Sequence, residues 1–575
     1  MKINQRLLAV KGHYFFKNAA SAPILPFLPV IAKDLGYSGT IVGAVLTCVP
    51  VLSLVSKPIA GAIADKFRIH KILYIYFLLA NLLFFLIFMN LQPLPRDSGV
   101  SLRCRDSADL VVTTAKSNDE CFVSSLKLLM DNNPLPCQIS CDGTGDLIRS
   151  LNGRRYDWHN YVNDSTLNVG ISFPEVKNDG QIYLKLDYIT LNDQTWLEPS
   201  CSTPTDWNCQ LACQNPTIHD LVTKPAVKDA DIFGYPQFWI FAIVVILAKV
   251  HEENLGTIGD TITLNILGDR ANDLGFQMVW GAVSWGLVSV GTGYMVDSMS
   301  RDKPYKDFTY AYYMSATFFL MNLAVGLCLD IKKEDKQGRK NPGLFRSVRK
   351  QLFTNPKFLV FLVCVVVCGA GSALVWNYLF WFIEEVAVED GCSDTTWVKT
   401  LDGLALCVHC YLGEIPFFFI SGWMLRYFGH ANCMSIVLLG FGARFTLYYF
   451  LTSAWWILPI ETLNGITYAI LYSTMMTYAN AFAPPGAEAT VQGIVSAFFE
   501  GIGVCLGSFL GGYFIDTWGI RQLFLIAGLF SVVLAIMHTT FHAFWDNEGS
   551  PKKTYDGRQI PPDQFELEHQ ALTKT

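Results

Sequence analysis

Twelve apolar stretches, each long enough to cross a bilayer, run along the chain, and one hydrophilic island at 93–235 separates the third from the fourth. They lie at 8–34, 38–64, 71–92, 236–267, 275–298, 308–330, 357–386, 399–425, 433–452, 454–480, 489–515 and 520–544. A crossing helix needs roughly 20 mostly apolar residues, because the hydrocarbon core is about 30 Å thick and each residue advances the axis by about 1.5 Å. The pattern predicts an all-α polytopic membrane protein with twelve transmembrane helices. Helices one to three fall within 1–92, an insert occupies 93–235, and helices four to six fall within 236–331. A linker at 332–356 precedes helices seven to twelve within 357–545, and 546–575 is a polar tail expected to be disordered.

Composition agrees with that solvent. Hydrophobic residues make up 51% of the chain and charged ones 16%, against about 25% charged in soluble domains. The net charge of −6 leaves no basic face for nucleic acid once the loops are counted. Lys2, Arg6, Lys11 and Lys17 flank the first apolar run, no A-x-A-like cleavage site follows it, and that helix is expected to act as its own insertion signal. Orientation follows from basic residues in short loops. Lys332, Lys333, Lys336, Arg339, Lys340, Arg346, Arg349, Lys350 and Lys357 crowd the linker, and Lys66, Arg68 and Lys71 follow the second stretch. Both segments face the cytoplasm if both termini do, which puts the insert outside; a multi-pass protein of the plasma membrane is expected.

The insert suits that side. It carries the glycosylation sequon Asn163-Asp164-Ser165, whereas Asn215 is disqualified by Pro216. It also holds Cys104, Cys121, Cys137, Cys141, Cys201, Cys209 and Cys213, and Cys392 in the next sizeable external loop makes the number even. The remaining cysteines fall within the apolar stretches. The external set reads as a disulfide framework of undetermined connectivity, with metal binding by Cys137-x-x-x-Cys141 and Cys209-x-x-x-Cys213 as the rival. From Ile182 to Leu191, Leu184, Leu186 and Tyr188 alternate with Lys185 and Asp187, the period of a half-buried strand.

An internal repeat appears among the helices. The fifth stretch ends Gly293-Tyr294-Met295-Val296-Asp297 and the eleventh Gly512-Tyr513-Phe514-Ile515-Asp516, six stretches later. At the same separation, Gly61-Ala62-Ile63-Ala64-Asp65-Lys66 is echoed by Gly422-Trp423-Met424-Leu425-Arg426. Two six-helix pseudo-repeats joined by the basic linker is a plan used by secondary transporters, with the binding site between the halves near mid-bilayer.

Gly61-x-x-x-Asp65-Lys66 resembles the loop signature of the major facilitator superfamily. The wider match is to its lactose-permease-like and nucleoside-symporter-like branch, and within it to the major facilitator superfamily domain-containing protein 6 family. The resemblance rests on the run from Asn18 to Pro29, on Lys57-Pro58 before Gly61, and on Asp260 to Gly268. It rests further on Gly413-Glu414-Ile415-Pro416 and on Pro459 to Ala469 with Glu461, Asn464 and Gly465. It spans all twelve stretches and includes the insert. It implies the major facilitator fold, and it implies that Glu414, Arg444 and Glu461 serve as acid, base and acid of proton coupling. One departure stands out: Met278 occupies the place of an Arg that helps hold sugar in lactose-permease-like relatives.

Charges inside a bilayer cost several kcal/mol unless paired or hydrated, so each is a functional candidate. Glu414, Arg444 and Glu461 lie in the eighth, ninth and tenth stretches, the rival reading being a permanent salt bridge. Glu461, Asn464, Tyr468 and Tyr472 recur at helical spacing and are expected on one wall, as a polar site or a packing seam. Asn377 offers an amide among aromatics in the seventh stretch. In the fourth, Glu252, Gly256, Asp260 and Thr263 form a stripe, with Lys249 near enough to neutralise Glu252 or Glu253. His409 is a proton-shuttle candidate, although a lone His is more often a hydrogen-bonded core residue. Glu500 has no evident partner. Gly61, Asp65 and Lys66 are expected to latch the cytoplasmic side, Gly61 by close approach and Asp65 by facing the start of the eleventh helix near Glu488. Gly501, Gly503, Gly507 and Gly511 offer that helix a small-residue face.

The expected function is secondary transport of a small organic solute in symport with protons, by alternating access. No P-loop, Gly-x-Ser-x-Gly or second zinc-binding His supports an enzyme, and no cofactor or metal is expected. The alternative from another class is a non-transporting receptor that binds a protein ligand through the insert.

Overall fold

The computed structural model describes residues 5–97, 99–104, 107–113, 134–142, 167–176, 181–191, 194–201, 205–213, 224–225, 229–267, 274–301, 306–329, 354–391, 396–483 and 488–547. Helical structure occupies every predicted apolar stretch. Among the described residues, eight helices are long and apolar enough to cross a membrane. The longest of them, Val398–Tyr449, is interrupted at Gly429, where φ of 77° turns the chain. Only glycine takes that conformation without steric cost, so one apolar run becomes two helical arms.

The helices used below are α1 (Gln5–Ser21), α2 (Leu28–Asp34), α3 (Gly39–Phe67), α4 (His70–Met89), α5 (Pro236–Leu267), α6 (Leu274–Met299), α7 (Thr309–Cys328), α8 (Pro356–Gly391), α9 (Val398–Val408) and α10 (Ile415–Tyr449). They continue as α11 (Ile457–Glu461), α12 (Leu471–Phe482), α13 (Glu488–Ser496), α14 (Cys505–Trp518) and α15 (Ile520–Asn547). Three π-helical segments, His409–Glu414, Gly465–Ile470 and Ala497–Val504, join α9 to α10, precede α12, and join α13 to α14. Each is the kind of local widening that clusters at functional sites. The bundle packs α3 on α14, α6 on α9, α1 on α6 and α7, and α8 on the π segment before α14. Large apolar side chains such as Val55, Leu83, Leu287 and Phe530 point outward, more than half exposed. Lipid is the solvent such a surface requires.

The insert is β-structure: β1 (Arg96–Asp97), β2 (Gly99–Cys104), β3 (Ala108–Thr113), β4 (Leu135–Cys141), β5 (Leu167–Val176), β6 (Gln181–Leu191), β7 (Gln194–Leu197), β8 (Thr205–Cys213) and β9 (Lys224–Pro225). The order β3-β2-β8-β4-β5-β6, with β6 pairing back onto β3, closes an antiparallel barrel; β7 extends the far end of β6, and β1 pairs with β9. Closure removes the open edges that an isolated sheet would expose. Leu102, Leu110, Ile139, Val169, Ile171, Leu184 and Leu211 fill its core. Disulfides join Cys104 to Cys201, Cys137 to Cys213 and Cys141 to Cys209, the last two between directly opposed residues of β4 and β8. Cys121, Cys392, Asn163, most of the linker and the tail from 548 lie outside the described residues.

The alternation along β6 holds through Leu184 and Leu186 and then changes phase. A bulge opposite Gly170 and Ile171 inserts Asp187, so Ile189 rather than Tyr188 turns into the core. Tyr188 instead lies over Gly170, where a Cβ would sit 2.1 Å from its ring. One extra residue in a strand reverses which face each later side chain takes.

Candidate functional site

The end of the bundle that bears the insert is held shut by two matching contacts. Asp297, at the end of α6, accepts from the backbone N–H of Lys399 at 3.3 Å, from Thr400 N–H at 2.6 Å and from the Thr400 hydroxyl at 2.7 Å. Asp516, at the end of α14, accepts from Gly39 N–H at 3.0 Å, from Thr40 N–H at 2.6 Å and from the Thr40 hydroxyl at 2.6 Å. Each carboxylate meets the N-terminus of a facing helix, where unpaired amides and the helix dipole favour negative charge. Four residues earlier, a Cβ on Gly293 would lie 1.9 Å from the Lys399 carbonyl oxygen, and one on Gly512 2.0 Å from that of Gly39. A Cβ on Gly403 would lie 2.3 Å from Ser289 O, and one on Gly43 2.4 Å from Ser508 O. The repeated Gly-Tyr-x-x-Asp is therefore the core of a longer match. Ser289-x-x-x-Gly293-Tyr294-x-x-Asp297 meets Thr400-x-x-Gly403, and Ser508-x-x-x-Gly512-Tyr513-x-x-Asp516 meets Thr40-x-x-Gly43.

The opposite ends of these helices lack such close approaches among the described residues. Gly61 on α3, Gly493 on α13, Gly275 on α6 and Gly422 on α10 have nothing within 4 Å of where a Cβ would be. Asp65 is exposed and pairs with His70 at 2.9 Å, and Lys66 lies over the Phe67 ring. Among the described residues, the close approach expected at Gly61 and the contact of Asp65 with the eleventh helix are thus not made in this conformation. Of the small-residue face expected on the eleventh helix, Gly503 and Gly507 meet the α8 backbone.

Between the two ends lies a buried polar network. Arg444, 1% exposed on α10, donates to Glu461 at 2.6 Å, to Tyr448 at 2.7 Å, to Thr467 at 2.8 Å and to Asn464 at 3.0 Å. Tyr448 also donates to the other oxygen of Glu461. His409 stands between two acids, with Nδ1 at 2.9 Å from Glu461 and Nε2 at 3.6 Å from Glu414, and Asn464 donates to Glu414 at 3.2 Å. The structure thus gathers Glu414, Arg444, Glu461 and Asn464. It adds His409, which sequence favoured as core, and Tyr448 and Thr467, which carried no charge to mark them. A buried guanidinium with its donors occupied is stable only as a set, because removing one partner strands the others.

Tyr468 and Tyr472 do not share that network. The π segment Gly465–Ile470 interrupts the spacing; Tyr468 packs with Trp376 and Phe418, and Tyr472 with Phe418 and Tyr468. Asn377 donates to Ser508 at 2.9 Å, tying α8 to α14 rather than joining the network.

Other polar groups lie outside that network. Tyr14 donates to Asp260 at 2.6 Å. Glu252 accepts from Ser21 at 2.8 Å and Asn81 at 3.2 Å, with Lys17 at 3.8 Å. Lys57 bridges Glu253 at 2.5 Å and Glu500 at 3.1 Å. Lys249 lies within electrostatic reach of Glu252 and Glu253, as expected, and Lys17 and Lys57 from neighbouring helices make the direct ion pairs with them. Lys57 also supplies the partner that Glu500 lacked in sequence. A second unforeseen cluster lies at the insert end, where fully buried Lys399 pairs with Glu384 and with Asp402 at 3.3 Å, and Lys33 reaches Glu384 at 3.6 Å. Lys399 and Asp402, three apart inside an apolar stretch, were its visible signal.

Residues 7–526 match the model of the MFS_1 like family. Major facilitator superfamily domain-containing protein 6-like protein A of Xenopus laevis is 22% identical over 91% of this chain and 88% of its own. The maltose permease of Geobacillus stearothermophilus is 21% identical over 55% of this chain and 78% of its own. Among solved structures, the nucleoside transporter NupG superposes with a TM-score of 0.58 at 13% identity, covering 94% of this chain and 99% of its own. A bacterial homologue of the human lysosomal transporter Spinster, solved inward-facing and unoccupied, gives 0.52 at 11% identity, over 96% and 100% of the chains.

Proposed function

We propose that this chain, which belongs to the MFS_1 like family, moves a small organic solute across a membrane by alternating access, coupled to protons. In this reading twelve helices cross the bilayer in two six-helix halves, both termini are cytoplasmic and the barrel is extracellular. The observation that carries it is the asymmetry of the ends. Two carboxylate-to-helix latches close the insert end, whereas Gly61, Gly275, Gly422 and Gly493 at the other ends of the same paired helices have no close neighbour among the described residues. That is a cytoplasm-open state, and rocking of the halves would exchange one set of contacts for the other.

The network around Arg444 supplies the coupling. One imidazole with a carboxylate near each nitrogen can pass a proton between Glu414 and Glu461, and the Arg444 guanidinium ties the charge on Glu461 to the packing of three helices. The Gly61-Asp65-Lys66 turn is the latch of the opposite state. In membranes, the distance between spin labels at Lys66→Cys and Arg426→Cys, with Cys48 and Cys328 replaced by Ser, tests both claims. Two distances whose populations shift between neutral and acidic pH, with the shift lost in Glu461→Gln, are expected. A single distance unmoved by pH would sink the reading.

A further inference from the structure

Between the two halves, toward the open end, one wall is aromatic. Trp376 on α8 meets Tyr468 edge-on at 6.0 Å and Phe499 at 6.4 Å. Phe418 on α10 stands 6.4 Å from Tyr468 and 6.5 Å from Tyr472, and the two tyrosines are 6.3 Å apart. Trp376, Phe418 and Tyr472 are 40–43% exposed although they come from three separate helices that converge here. Neither Tyr468 nor Tyr472 has a hydrogen-bond partner for its hydroxyl among the described residues. The wall is open to the space it faces.

Carboxylates lie near that wall. Asp260, from the other half, and Glu500 lie within electrostatic reach of Tyr472; Glu414 and Glu500 lie within reach of Tyr468. Among the described residues, no Lys or Arg pairs with Asp260 or Glu414: the first is held by Tyr14, the second by Asn464 and His409. Lys57 is shared by Glu253 and Glu500, and Lys249 lies within electrostatic reach of Glu252 and Glu253 but of neither Asp260 nor Glu414. Arg444 and Lys17 are each committed to an acid, Glu461 and Glu252. The balance around the aromatic wall is negative.

Aromatic faces carry negative potential at their centres, and several converging faces beside carboxylates are the arrangement that selects ammonium groups over neutral isosteres. We propose that Trp376, Phe418, Tyr468 and Tyr472 together with Asp260 form the solute-binding face, and that the solute is an organic cation, a protonated or quaternary amine with an apolar or aromatic body. This rests on the transport reading above and names the solute class for it. The cation would neutralise Asp260 in one half while its body packs on the rings of the other, and so draw the two halves together.

The test uses the purified full chain and matched pairs of probes. Benzyltrimethylammonium and choline are the cations, and neopentylbenzene and 3,3-dimethylbutan-1-ol are their uncharged isosteres. Uridine and maltose serve as neutral polar solutes and benzoate as an anion. Binding of one state shows as a dose-dependent rise in Tm. The cations should raise Tm and their isosteres should not. Asp260→Asn and Trp376→Leu should each weaken the apparent Kd about tenfold or more, while Trp376→Phe keeps most of the affinity. Trp376→Leu serves alone if Asp260→Asn fails to fold. Equal stabilisation by isosteres, or stabilisation by uridine, maltose or benzoate but not by cations, overturns the cation assignment and leaves transport standing. No stabilisation by any probe, together with a label distance that pH does not move, overturns both.

Discussion

The two latches at the insert end share a sequence and a geometry, yet they sit in different surroundings. Both place an Asp on a helix N-terminus and a Gly against a backbone carbonyl, with the two glycine approaches agreeing to 0.1 Å, at 1.9 and 2.0 Å. Asp297, however, is 7% exposed and also accepts from Lys306 at 2.6 Å, beside buried Lys399 and Asp402 and half-buried Glu384. Asp516 is exposed and, among the described residues, accepts hydrogen bonds only from its helix N-terminus and Thr40. The backbone part of the motif is set by contact distances that permit no variation, whereas the electrostatic part is set by what else surrounds each carboxylate. The same local sequence can therefore make equal steric contacts and unequal electrostatic ones.

The largest effect should come from the shared steric part. Gly293→Leu and Gly512→Leu put atoms where a backbone carbonyl already lies, and each should disfavour the closed insert end by about 3 kcal/mol, roughly a hundredfold in population. Labels placed across that end should report separation in both variants alike. A large change in only one would break the equivalence.

The electrostatic part should differ. Asp297→Asn is expected to cost about 1.5–3 kcal/mol of stability, because a buried charged hydrogen-bond acceptor is replaced while Lys306 remains. Asp516→Asn should cost about 0.5–1 kcal/mol, since solvent screens an exposed carboxylate at a helix end. Thermal unfolding of the two variants decides the matter, and equal losses would mean that burial is not what separates the latches.

The smallest effect belongs to the open end. Gly61→Ala meets no neighbour here and should be neutral, or stabilise by up to about 1 kcal/mol through helix propensity. A clear loss of Tm in this conformation would show that Gly61 is packed after all. An effect confined to the label distance between Lys66→Cys and Arg426→Cys would place Gly61 in the opposite state.

Much of the candidate network was legible in the chain because bilayers make charge conspicuous. Glu414, Arg444 and Glu461 stand out in apolar stretches, and the structure brings them within one hydrogen-bonded set. Tyr448 and Thr467 were silent because uncharged polar residues are common in membrane helices. Lys57 was silent because its two partners, Glu253 and Glu500, are far away in sequence. Helical spacing also misled once. It put Tyr468 and Tyr472 on the wall of Glu461, and a π segment moved them to the aromatic side.

Hydrophobic run lengths, the single polar insert and the paired cysteines determined on their own that this is a multi-pass helical protein with a disulfide-stapled domain. Those properties depend on solvent and on local chain geometry, which every residue senses independently. Which cysteine meets which, which lysine answers which carboxylate, where a bulge reverses a strand face, and which end of the bundle is shut were decided only by tertiary structure. Each is a contact between residues distant in sequence, and the free energy of such a contact exists only after the helices and strands have packed.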